Sequence, residues 1–183
     1  MARLLRCAVE QFVDWHPHLF VEAHAVAFVA LASRYSRSPA YFDVECENVA
    51  SRWLGNDLAF RLGVSWHDDT AEKAERLRAT IQPGPLVELA TVALALILCK
   101  RVVPFGRMDV TEFGARADFR SRKHKLVLEV SGTELPAEFG RRHRAKVAQA
   151  RNNPFGWAAY VLVCAYAATG HRIRFSQHPS LEK

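Results

Sequence analysis

The sequence predicts an α/β fold, and three observations carry that prediction. After a break at Gln82-Pro83-Gly84-Pro85, helical and β-rich spans alternate in the order helix, three strands, helix, two strands. The same Pro/Gly cluster is the clearest internal boundary, so residues 1–82 read as an N-terminal α+β extension packed on a core of residues 83–183. The length of 183 residues suits one domain carrying such an extension, and a composition half apolar and a quarter charged suits a soluble globular chain.

In chain order, residues 2–15 place apolar side chains at helical spacing and predict a helix that His16-Pro17-His18 interrupts. Leu19–Ala32 is apolar and Ala-rich, which favours a buried helix over a strand. His16, His18 and His24 match no compact zinc spacing and read as surface or core histidines. Tyr41–Val49 alternates apolar and acidic residues, the pattern of a half-exposed strand whose Asp43, Glu45 and Glu47 are solvated. A short helix over Ala50–Leu54 and a turn at Gly55-Asn56-Asp57 lead to a second strand at Leu58–Trp66. Asp69 or Thr70 then caps a helix over 70–79; His67-Asp68-Asp69 has the composition of a metal cluster, but capping accounts for it.

Beyond the boundary, Leu86–Lys100 predicts a buried helix with Glu88 in its first turn, either favoured there by the helix dipole or directed at a metal. This apolar run falls short of the ~20 residues of a membrane span. Arg107–Glu112, Arg116–Arg120 and Lys125–Ser131 are the three strand candidates. Glu134–Arg151 returns to helix near Pro136, and Asn152–Gly156 breaks it. Trp157–Ala168 reads as a buried strand and Ile173–Ser176 as a short last one. Neither a secretory signal nor a paired cysteine spacing is evident, so reduced thiols in a cytoplasmic protein are expected, with no membrane association.

The net charge of +6 is unevenly spread. Residues 1–99 hold 9 Lys/Arg against 12 acids, and residues 100–151 hold 13 against 6. That basic excess surrounds the stretch EFGARADFRSRKHKLVLEVSGTE, residues 112–134. Within it Asp118 precedes a polar turn, and Glu129 stands inside the apolar run Leu126-Val127-Leu128-Glu129-Val130. Two strands joined by that turn would set the carboxylates side by side. A carboxylate in an apolar strand needs a partner, and two together repel, so a divalent cation is the natural one. The alternative pairing is with Arg116 or Arg120. A polyanion such as nucleic acid would account for the surrounding positive charge, and a solvated basic surface would account for it equally.

This order of elements, with Asp118 before a hairpin turn and Glu129 near the end of the next strand, resembles the PD-(D/E)xK nuclease superfamily over roughly residues 84–176. The resemblance implies a restriction-endonuclease-like core, a mixed central sheet flanked by helices, and metal-dependent hydrolysis of phosphodiester bonds. It implies that Asp118 and Glu129 hold Mg or Mn, with Glu88 matching loosely a third metal ligand. The motif lysine two residues after the second acid is here Ser131. Some members supply that lysine from the following helix, which points to Lys146; Glu138, Arg142, Lys146 and Gln149 form one stripe there, either facing the hairpin or exposed on the helix surface. Arg142, Arg144 and Gln149 would then contact nucleic acid. The alternatives are a catalytically inactive module of the same fold that binds nucleic acid or a protein partner, and a homo-oligomeric or interaction scaffold.

Overall fold

The computed structural model of the chain describes residues 3–55, 57–103 and 105–181. The N-terminal part begins with strand β1 (Arg3–Ala8) and helix α1 (Val9–Trp15), where helical spacing predicts one helix over 2–15 (residue 2 lies outside the described residues). Tertiary pairing overrides the local signal. β1 lies parallel to β3 (Ala59–Ser65), with Leu5 opposite Leu62 and Cys7 opposite Val64, and these four side chains are buried. Helix α2 (Glu22–Ala32) and strand β2 (Ala40–Glu47) form where expected, α2 starting three residues later and β2 ending two earlier, but Glu45 is held by Arg172 and Arg174 and not merely solvated. Residues 52–55 form turns instead of the expected helix, and Asn56 of the following turn lies outside the described residues. Helix α3 (Asp68–Arg78) starts after His67, but neither Asp69 nor Thr70 caps it. Glu10 does that work from α1: its Oε1 accepts the His67 N–H at 2.9 Å and the Thr70 hydroxyl at 2.8 Å.

The second part follows the predicted alternation. Helix α4 (Pro83–Arg101) precedes β4 (Asp109–Val110), β5 (Phe119–Ser121) and β6 (Leu126–Thr133). A 3₁₀ turn (Pro136–Glu138) leads into α5 (Phe139–Arg151), then β7 (Ala158–Ala165) and β8 (His171–His178). All eight strands form one mixed sheet in the order β1-β3-β2-β8-β7-β6-β5-β4. β2 runs parallel to β8, so residues 1–82 contribute strands to the sheet of the core as well as helices.

Helices α1–α4 cover one face of the sheet, and α5 covers only part of the other, over β6 and β7. The strands record this asymmetry. β6 is buried at every position because α4 and α5 pack on its two faces. β2 alternates buried and accessible residues because its second face is open. Gly132 lets β6 approach α4: a Cβ there would collide with the Thr91 hydroxyl and with Val87. α4 is long and apolar enough to cross a membrane, yet its central residues are buried in the main core.

Candidate functional site

The β5–β6 hairpin brings the two predicted carboxylates together. Phe119 pairs with Leu128 in antiparallel register, so Asp118, one residue before β5, arrives beside Glu129. Alternation along β6 sends Leu126, Leu128 and Val130 into the core under α4 and Val127 into the one under α5. Glu129 follows Val127 to the α5 side. There its Oε1 accepts hydrogen bonds from the Lys146 ammonium and, at 3.0 Å, from the Gln149 amide. Its Oε2 is buried without a partner. Asp118 is exposed to a groove of about 480 Å³ walled by Val110 of β4 and the loop 111–117 and reaching Glu129 and Gln149. Its Oδ2 accepts the Val130 N–H at 2.7 Å, which fixes the carboxylate against the end of the strand pair.

The electrostatics follow from that placement. Glu129 is 1% exposed, and burial together with the neighbouring Asp118 pushes its pKa up to about 7 against the pull of Lys146 and Gln149. Asp118 is also raised. Enough protein surrounds it for desolvation to dominate despite its opening to the groove; the Val130 N–H and Lys146 oppose the shift, and Glu88 adds to it. Neither predicted arginine pairs with the carboxylates: Arg116 reaches the Asn152 carbonyl at 3.4 Å, and Arg120 reaches Glu112 at 3.4 Å.

The helix stripe divides. Lys146 and Gln149 face Glu129, while Arg142 is held by Glu138 at 2.9 Å. Arg144 is on the other flank of α5, lining a different cleft. Ser131, in the motif-lysine position, is buried on β6. α4 starts three residues earlier than predicted, so Glu88 falls in its second turn, beyond the reach of the dipole argument. Nor does Glu88 close a triad with Asp118 and Glu129. Among the described residues, the three-residue group whose ligand atoms all lie within 4.8 Å of one another, and which could hold a metal ion, is Glu10, His67 and Asp69. From sequence, capping accounts for His67-Asp68-Asp69; Glu10, distant in the chain, joins them by bonding the His67 N–H and the Thr70 hydroxyl. His16 and His18 serve the framework, bonding the carbonyls of Leu96 and Met108. All four cysteines are free and buried.

Comparison with protein-family models, with curated proteins and with solved structures finds no match. The geometry of the site therefore carries the functional argument.

Proposed function

We propose that the chain is a metal-dependent nuclease of the PD-(D/E)xK type, hydrolysing phosphodiester bonds in nucleic acid at Asp118 and Glu129. One observation carries the reading: a buried glutamate with an unpartnered oxygen stands beside a second carboxylate at an open groove, and the lysine reaching it comes from the next helix. The succession of α4, the β4–β5–β6 meander, α5 and the parallel strand β7 supports a restriction-endonuclease-like core. Two hard carboxylates, one with a buried oxygen lacking a donor, fit Mg²⁺ or Mn²⁺. Such an ion, when bound, lowers the pKa of water and offsets charge on the phosphate.

The chain's own residues do the rest. The Val130 N–H orients Asp118, and Gln149 holds Oε1 of Glu129 so that Oε2 is left for a ligand. Lys146 takes the place of the motif lysine that Ser131 cannot fill, placing a positive charge where negative charge grows in the transition state. A strand in this groove would meet the Lys146 flank of α5, where Arg142 stands, and not Arg144. Buried, unpaired thiols suit a reducing cytoplasm.

Single- and double-stranded DNA and RNA incubated with Mn²⁺ test the proposal. Cleavage by the wild-type chain should fall at least a hundredfold in Asp118→Asn with binding retained. Lys146→Ala should lower kcat more than it raises KM. The second reading, an inactive module that binds nucleic acid or a protein partner, draws on Ser131 and on the engagement of Lys146 by Glu129. It gains if no substrate is cut while nucleic acid still binds.

A further inference from the structure

Because α5 lies over β7 with flanks toward β6 and β8, it overhangs two clefts. The first is the Asp118–Glu129 groove. The second, also of about 480 Å³, opens between α5, β8 and β2 on the opposite flank. Arg144 and Arg151 reach it from α5, Arg174 and His178 from β8, and Glu47 from β2; Val147 and Leu181 add apolar surface.

The polar wall is built. The buried Ser176 hydroxyl lies 2.8 Å from His143 Nε2 and 2.9 Å from His178 Nε2. A hydroxyl has one proton, so it donates to one ring and accepts from the other, coupling the two tautomers. Burial, with Arg174 nearby, holds His143 down to about 4, and burial lowers His178 too, so at neutral pH the positive charge belongs to the arginines. Arg174 is taken by Glu45 at 2.7 Å. Among the described residues neither Arg144 nor Arg151 has a carboxylate within 4.0 Å, and the Arg151 Nε–H is buried without an acceptor. Arg151 as a whole is only half-buried, so an anion in the cleft would meet the outer nitrogens of its guanidinium and offset the cost of a group whose Nε–H is unmet.

With Arg174 engaged by Glu45, Arg144 and Arg151 are left without a carboxylate partner among the described residues and face one glutamate, Glu47, in the cleft; a guanidinium fork takes phosphate oxygens in pairs. We infer that the cleft between α5 and β8 binds a phosphomonoester, its phosphate on Arg144 and Arg151 and its organic part against Val147 and Leu181. This holds whether or not Asp118 and Glu129 cut nucleic acid. The phosphate could belong to a free small molecule or to the end of a nucleic-acid strand.

The 183-residue chain is titrated at fixed ionic strength with adenosine 5′-monophosphate, a short 5′-phosphorylated oligonucleotide and its unphosphorylated twin. Binding is followed by the ring proton resonances of His143 and His178, assigned with His143→Gln and His178→Gln. Saturable shifts with the mononucleotide or the 5′-phosphorylated strand are expected, with affinity reduced at least tenfold in Arg144→Gln and in Arg151→Gln. Arg144 is exposed and makes no hydrogen bond or ion pair among the described residues, so its variant should fold even if the Arg151 variant does not. Preference for the phosphorylated strand over the mononucleotide assigns the phosphate to a strand end; equal or weaker strand binding assigns it to a small molecule. Equal shifts with the unphosphorylated strand, no shift with any probe at millimolar concentration, or Arg144→Gln binding like the wild type overturns the inference.

Discussion

At the scale of single residues, the chemistry turns on how Glu129 carries its charge. A carboxylate 1% exposed, beside Asp118, is neutralised by a proton or a cation, and Lys146 meets only one of its oxygens. With a folded pKa of about 7 against an ordinary 4.5, Glu129 keeps its proton in the folded chain at pH values where the unfolded chain has lost it. Its contribution to stability is therefore fully present below pH 4.5 and is lost as pH rises toward 7. In Glu129→Gln that loss disappears, while Lys146, partly exposed, keeps its water. Urea titrations in a chelator should find the two proteins close at pH 4, with the variant gaining up to about 3 kcal/mol relative to wild type by pH 8. A difference that stays constant across that window would contradict the assignment. Asp118 and Glu129 were legible as a pair because hairpin spacing and an apolar run are local signals. The stripe on α5 puts Lys146 and Gln149 on one side but does not tell a face turned to the hairpin from an exposed one, and no local signal marks Gln149 as a partner of Glu129; Arg144, two residues from Lys146, falls outside the stripe.

Elements explain which local patterns could be trusted. β6 reads as a strand from sequence because burial on both faces makes Leu126–Val130 apolar at every position but Glu129. β1 reads wrongly because its partner β3 lies more than fifty residues away, and a run of six residues carries helical and alternating signals at once. The cap of α3 fails for the same reason, since Glu10 arrives from α1. Close contact between β6 and α4 makes the sharpest demand on sequence, at Gly132. Gly132→Ala should cost about 1–3 kcal/mol by overpacking against Thr91 and Val87. Val87→Ala in the same chain should recover part of that loss, so the double mutant is more stable than the sum of the singles. Strict additivity in denaturation midpoints would show that the clash relaxes elsewhere.

For the whole molecule, the question is whether the break at Pro83 divides two units. The composition of Gln82–Pro85 announces a boundary, and α4 does begin there with proline in its first turn. The sheet ignores it. β8 pairs with β2 through Val44 opposite Ile173 and Cys46 opposite Phe175, and these residues belong to the same core as α2 and α4. Sequence could not reveal this, because a parallel pair between distant segments leaves no local trace beyond two alternating runs. A chain of residues 83–183 would keep the carboxylate hairpin, Lys146 and β7. It would also expose the full edge of β8 and the α4 surface that α2 covers. An uncovered hydrophobic edge templates association, and a core stripped of one helix layer loses cooperativity. Expressed alone, residues 83–183 should therefore aggregate or give a broad, non-cooperative urea transition, while the full chain unfolds in one step. A soluble monomeric fragment with its own sharp transition would instead make residues 1–82 an addition to a self-sufficient core.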